Sequence, residues 1–357
     1  MQREFWNGKR VLVTGHTGFK GSWLSLWLQH LGAEVTGYAV APPSRPNLFT
    51  IADVGRGMTT VDGDVRDLDR LRRALQDHRP ELVVHMAAQA LVTQGYADPV
   101  RTYTTNVVGT ANLLEAVRST PGVRVVVMVT SDKCYRNNEW VWGYRENDRL
   151  GGHDPYGTSK AAAEWVVEAY RSSFLPVEDH GRHGVAVASA RAGNVIGGGD
   201  WAEARLVPDV VRALLAGEPA RLRNPDAIRP WQFVLEPLRG YLLLAERLWD
   251  DPAFAEAWNF GPGLAEARSV GWIADYLTEA WGDGASWERA AGDQLREDVF
   301  LRLDCSKARS RLGWAPRLSL AQALDRIVEW YRAYARDEDM RALTERQIAR
   351  YEELPDT

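Results

Sequence analysis

The chain has 357 residues, 45% hydrophobic and 25% charged, with a net charge of −5 from 43 basic and 48 acidic residues. That length leaves room for one large domain or two ordinary ones, and the mixed, slightly acidic charge excludes the basic face of a nucleic-acid binder. No apolar run approaches the roughly 18 uncharged residues of a spanning helix. Met1–Trp6 also lacks the apolar stretch of a signal peptide, so a cytoplasmic protein with no membrane partner is expected. Cys134 and Cys305 are too few for a disulfide framework or a cysteine-rich zinc site, and no metal is expected. The 15 tryptophans are expected mostly in the core, with sugar or base stacking as the alternative.

Short apolar strands alternate with amphipathic helices through the first half, the pattern of a parallel sheet wrapped by helices. Strands are predicted at 10–14, 34–38, 59–64, 82–86, 125–129 and 185–189. The helices between them run from Ser22 to near Gly32, from Val100 to Arg118 and from Tyr156 to Phe174. After residue 190, Gly197-Gly198-Gly199 and a series of prolines change the rhythm. The expected fold is α/β: a Rossmann-type doubly wound parallel sheet with a smaller, mixed C-terminal substrate domain. The first domain spans 1–192, with 232–262 returning to it and a helix from Leu238 to Trp249; the second spans 193–231 and 263–357. The charged tail from Arg336 reads as a solvated or dimer-edge helix.

Thr14-Gly15-His16-Thr17-Gly18-Phe19-Lys20-Gly21 joins the first strand to the first helix. Its glycines are three apart rather than in the G-x-G-x-x-G form, but side-chain-free turns still let a pyrophosphate reach the N–H groups of a helix start. The second strand ends Gly37-Tyr38-Ala39-Val40 without the acid that often holds an adenosine ribose, which leaves NAD or NADP open at that point. Asp64-Val65 after the third strand is a candidate adenine contact, or a plain turn. Ala87, Ala88 and Gln89 follow the fourth strand, where small residues admit a nicotinamide ribose or simply suit sheet packing. His85 is expected to be a satisfied core histidine.

Tyr156-Gly157-Thr158-Ser159-Lys160 sets a phenol and an ammonium four residues apart at a helix start, hence on one face. The lysine is expected to favour the phenolate and make Tyr156 a base for an alcohol that gives up hydride. Thr130-Ser131 ends the fifth strand beside it.

These residues resemble the Ser/Thr, Tyr and Lys of the extended short-chain dehydrogenase/reductase superfamily. Longer stretches resemble its nucleotide-sugar 4,6-dehydratases, above all the CDP-glucose branch: 15–23, 130–135, 139–146, 191–201, 228–232 and 258–262. The resemblance implies NAD, bound and reset each cycle, and a CDP-sugar substrate. It implies C4 oxidation assisted by Ser131, Tyr156 and Lys160, water elimination across C5 and C6, and hydride return to C6. Asp132 is then the acid for the C6 hydroxyl, and Lys133 the C5 base or an electrostatic stabiliser. The cofactor set is Gly15, Thr17, Gly18, Phe19, Lys20, Gly21, Asp64, Val65, Ala87, Ala88, Gln89, Asn106, Tyr156 and Lys160. Asn194, Arg205 and Arg229 match sugar-phosphate and pyrophosphate contacts.

Thr93, Gly95, Gly157 and Phe233 depart from the branch pattern. A nucleotide-sugar 4-epimerase or 4-reductase, a dehydratase of another NDP-hexose, or a non-catalytic NAD-sensing protein are the alternatives; the Asp132-Lys133 pair favours dehydration. The helices near 100–118 and 156–175 are apolar on more than one face, as in Ala161-Ala162-Ala163, which points to a homodimer through a four-helix bundle.

Overall fold

The computed structural model of the protein describes residues 2–263, 266–290 and 301–355. The stretch 291–300, which the sequence reading assigns to the second domain, lies outside the described residues. Strands β1 (Arg10–Thr14), β2 (Glu34–Ala39), β3 (Thr59–Asp62), β4 (Leu82–His85), β5 (Val125–Val129), β6 (Ala186–Arg191) and β7 (Ala257–Asn259) form one sheet in the order β7-β6-β5-β4-β1-β2-β3. Every pairing in it is parallel. This is the doubly wound order, and its crevice opens where β1 and β4 send their chains to opposite sides. The run Val125-Val126-Val127-Met128-Val129 is buried at all five positions, as a strand covered on both faces must be.

Helices α1 (Phe19–His30), α2 (Leu68–His78), α3 (Gly109–Arg118), α4 (Pro155–Ser173) and α5 (Leu235–Asp250) flank the sheet. The helix expected from Val100 to Arg118 is broken differently. A short helix, Val92–Ala97, precedes Asp98, whose side chain caps Arg101 N–H; a second begins at Pro99, which has no N–H to lose. A π-turn at Thr104–Val108 then leads into α3 and carries the buried Asn106. Such turns often re-aim a functional side chain.

Beyond β6 the chain forms two-residue and three-residue ladders, Val195–Ile196 with Gln232–Phe233, Ile228–Pro230 with Ala267–Ser269, and Ala220–Leu222 with Trp287–Arg289. Helices Leu206–Ala216, Val270–Trp281 and Leu320–Ala335 pack among them. The final helix α6 (Met340–Glu352) is not the solvated helix its charge suggests. Met340, Leu343, Ile348 and Tyr351 are buried, Tyr351 donates to Glu236 Oε2 at 2.6 Å, and Trp27 Nε1 donates to Glu352 Oε1 at 2.7 Å. Its charges occupy one face while the other binds α1 and α5. Nine of the tryptophans are buried, which agrees with the core reading for most of them. No described helix is long and apolar enough to cross a membrane.

Candidate active site

The turn after β1 is pressed onto the end of β4. Gly15 adopts φ +75°, and a Cβ there would stand 2.7 Å from Ala87 N; a Cβ on Gly21 would stand 2.1 Å from Gly15 O. Neither position tolerates a side chain. Thr14 Oγ1 ties the two strands by accepting from Met86 N and Ala87 N at 3.1 Å and pairing with His85 Nδ1 at 2.8 Å. Gly18 begins α1 with no side-chain cap, and no acidic residue occupies the first turn. The leading N–H groups and the helix dipole therefore suit a pyrophosphate, so the cradle fits a dinucleotide. Thr17 Oγ1 donates to Val40 O at 3.0 Å, and Phe19 reaches toward Gly197.

Asn106 clamps the neighbouring loop. Its Oδ1 accepts from Gln89 N at 2.8 Å, and its amide donates to Gln89 O at 3.0 Å and to Ser159 Oγ at 2.8 Å. The segment Ala87-Ala88-Gln89 is thus fixed to the helix that bears Tyr156. On the far side of the sheet, Asp64 is bound by Arg66, which holds its carboxyl below the usual carboxylate range. Val65 turns its side chain into the core against Gly109, and its carbonyl accepts from Asn112 Nδ2 at 3.0 Å. Only the Asp64 side chain faces outward here.

The catalytic candidates converge at the ends of β5 and β6 and the start of α4. Ser131 Oγ donates to Asp132 Oδ1 at 3.0 Å and also hydrogen-bonds Tyr156. Asp154 caps α4 through Gly157 N at 3.0 Å, and this start sets Tyr156 and Lys160 on one buried face. The Asp132 carboxylate is buried and lies over Gly193: a Cβ there would fall 1.9 Å from Asp132 Oδ2. Lys133 is half-buried, and its carbonyl lies 2.9 Å from where a Gly157 Cβ would stand. A Cβ on Gly95 would stand 3.2 Å from Tyr156 N. Two departures from the branch pattern therefore border the catalytic segment itself. Phe233, the third, is buried against Trp23.

The electrostatics differ from the sequence expectation at one point. Burial pushes the Tyr156 phenol up to about 12, opposed by its Ser131 hydrogen bond, rather than a lysine drawing it down. Desolvation of a phenolate outweighs the neighbouring charge in a site this dry. Burial likewise pushes Lys160 down to about 8, opposed by Glu164. Lys20 falls to about 7, from burial and then from Lys160 and Arg205. His85 is buried, bonded to Thr14 and pushed down to about 3, a neutral core histidine.

Arg205 joins this group: it pairs with Asp200 at 3.3 Å, donates to Ala90 O at 3.4 Å, and acts on both Lys20 and Tyr156. Asn194 follows β6 at φ +50° and its carbonyl accepts from Gln232 N at 3.1 Å. Arg229 stands on the separate Ile228–Pro230 ladder, where Nη1 donates to Ile228 O at 3.1 Å. Sequence reasoning does not single out Gly193 or Glu164. For Glu164 a signal exists, because Tyr156, Lys160 and Glu164 repeat the same four-residue spacing; for Gly193 none does.

Residues 12–327 match the family described as GDP-mannose 4,6 dehydratase. The chain is 51% identical over 352 residues, 98% of each sequence, to a CDP-glucose 4,6-dehydratase of Salmonella typhimurium. Among solved structures, a dTDP-glucose 4,6-dehydratase from Streptomyces venezuelae with NAD bound is 29% identical, with a TM-score of 0.77 over 90% of this chain and 97% of that one. A UDP-glucose 4-epimerase from Thermotoga maritima with UDP-glucose is 26% identical, with a TM-score of 0.78 over 91% of this chain and 99% of that one. The fold expected from the sequence is the fold these relatives share.

Proposed function

We propose that this chain, which belongs to the GDP-mannose 4,6 dehydratase family, is an NAD-dependent CDP-glucose 4,6-dehydratase. The observation that carries the reading is the cluster Ser131, Asp132, Tyr156 and Lys160 with Lys133 on the same turn, because a 4-epimerase needs no acid and base beyond the Tyr/Lys pair. The 51% identity to a CDP-glucose enzyme supports the choice of nucleotide. NAD fits the Gly15–Gly21 cradle, and when bound it supplies the acceptor for the C4 hydride and its return to C6.

The chain's own residues do the rest. Tyr156 takes the proton of the C4 hydroxyl as the phenolate, a form that burial disfavours and that the Lys160 ammonium must stabilise, with Ser131 orienting the oxygen. The resulting C4 carbonyl acidifies the C5 hydrogen, and Lys133 removes that proton. Asp132 protonates the C6 hydroxyl, which leaves as water, and the C5=C6 bond forms; when the hydride returns to C6, Lys133 gives its proton back to C5. Arg205 and Arg229 bind the pyrophosphate through paired guanidinium donors, and Asn194 the sugar-phosphate. Residues 193–231 and 263–357 form the sugar-binding portion, and 1–192 with 232–262 the cofactor portion.

Incubating the protein with CDP-glucose and NAD, beside dTDP-, GDP- and UDP-glucose, tests the reading by mass spectrometry. The expected result is a product lighter by one water from the CDP sugar alone. Water loss from another sugar reassigns the nucleotide, and an isomer of unchanged mass identifies an epimerase.

The second copy of this chain is the proposed partner. Tyr96 and Val100 are 60% and 70% exposed, and on α4 Trp165 is 55% exposed, with Phe174 just beyond it at 47%. These large apolar residues belong to the two neighbouring helical segments that a four-helix bundle would cover. Sedimentation at micromolar concentration is expected to give a dimer, and V100E/W165E a monomer. A monomeric wild-type protein would remove this proposal.

A further inference from the structure

A buried ion pair that the reaction as described does not use joins the catalytic helix to β6. Glu164 and Arg191 meet at 2.8 Å with side chains 3% and 4% exposed. Each Glu164 oxygen is held: Oε1 accepts from Thr130 Oγ1, the residue before Ser131, and Oε2 accepts from Ser189 Oγ at 2.7 Å and Arg191 Nη2 at 2.8 Å. Arg191 also donates to Tyr135 OH at 2.7 Å and Glu146 O at 2.9 Å. The carboxylate is therefore immobile and fixed to the strands that carry Ser131 and Gly193.

It also lies four residues beyond Lys160, on the face of α4 that carries Tyr156 and Lys160. An ammonium buried this deeply loses its hydration, and a dry site favours its neutral form. The groups that face Lys160 are Tyr156 and Glu164 on its own helix, Cys134 from the turn after β5, His85 from β4 and Lys20 from α1. The Cys134 thiol is pushed well up by burial and stays neutral, His85 is neutral, and Lys20 repels. Glu164 is the carboxylate in this set.

We propose that Glu164 is a positioning residue of the active site, a buried and immobilised carboxylate one helical turn from Lys160 that keeps the Lys160 ammonium charged where water is excluded. The proposal rests on the reading of Tyr156 and Lys160 as the proton-moving pair. Arg191 serves by fixing Glu164 through Nη2, while its Nη1 donates to Tyr135 and Glu146 O and its Nε is buried without a hydrogen-bond partner.

The chain has five lysines, so Lys160 can be followed directly by carbon-13 NMR of ε-labelled lysine in full-length, cofactor-free protein, its signal assigned by its loss in K160M. In E164Q its titration midpoint is expected to fall by about one pH unit or more. If E164Q does not fold because Arg191 is left buried and unpaired, E164Q/R191M removes both charges and is read the same way. The alkaline limb of turnover is expected to move with the midpoint, which a purely structural role would not produce. A midpoint within about 0.3 pH units of wild type in whichever variant folds overturns the proposal. Because the titration uses no substrate, an inactive wild-type protein would overturn the dehydratase reading without touching this result.

Discussion

Replacing Tyr156 by phenylalanine is expected to lower kcat by about 10²–10⁴-fold, the range that a positioned acid–base group contributes. The ring is buried, and phenylalanine keeps its packing while removing the one oxygen that bonds Ser131. The melting temperature should therefore stay near that of wild type, and the loss should fall on kcat rather than on KM. The pH profile follows from the same geometry. Lys160 must be charged to stabilise the phenolate, and burial pushes it down to about 8, so turnover is expected to fall as pH rises through that value. Steady-state rates of water loss across pH check both points. A Y156F enzyme within about tenfold of wild type would mean that another group takes the C4 proton.

The parts of this arrangement that were legible in the sequence are those with a local pattern. β1 and β5 fall where their apolar runs place them, residue for residue, because a buried parallel strand needs nothing beyond its own composition. The Gly15–Gly21 turn and the Tyr156/Lys160 spacing are local in the same sense. The helix through 92–118 was harder. Asp98-Pro99 is a readable start, but the π-turn that aims Asn106 at Gln89 and Ser159 depends on partners 17 and 53 residues away. The tail shows the same limit, since α6 looks solvated by charge and is held by Glu236, more than a hundred residues upstream. Tyr156 illustrates it in energy rather than position. Spacing pointed to an acidic phenol, whereas burial, which no spacing encodes, pushes it up to about 12.

Gly193 is where these lines meet. The Asp132 carboxylate occupies the space that any side chain at 193 would need: a Cβ would approach its Oδ2, Cγ and Oδ1 to 1.9, 2.1 and 2.4 Å. Real Cβ contacts are never that close, so in G193A either the 192–194 segment after β6 or the Asp132 side chain must move. That segment is short and held between β6 and the Val195–Ile196 ladder, and Gly193 O accepts from Gln232 Nε2 at 3.1 Å, which makes it the stiffer of the two. Asp132 sits in a short turn and yields. Overpacking of this kind costs about 1–3 kcal/mol of stability, so the variant is expected to fold with a lowered melting temperature. Its chemistry should suffer more. A displacement of about 1 Å in a catalytic group costs roughly 10²-fold, and here the displaced group is the acid for the C6 hydroxyl. Water loss from the sugar is therefore expected to fall by about that factor, while Tyr156 and Lys160, which do not touch the 193 side chain, continue to serve the C4 hydroxyl. Deuterium at C4 of the substrate separates the two steps. In wild type the label is expected at C6 of the product, and in G193A the absorbance of reduced cofactor formed by C4 oxidation should persist while product formation collapses. Wild-type rates of water loss in G193A would mean that Asp132 is not the acid, since no arrangement with the 192–194 segment in place leaves its carboxylate where it now stands.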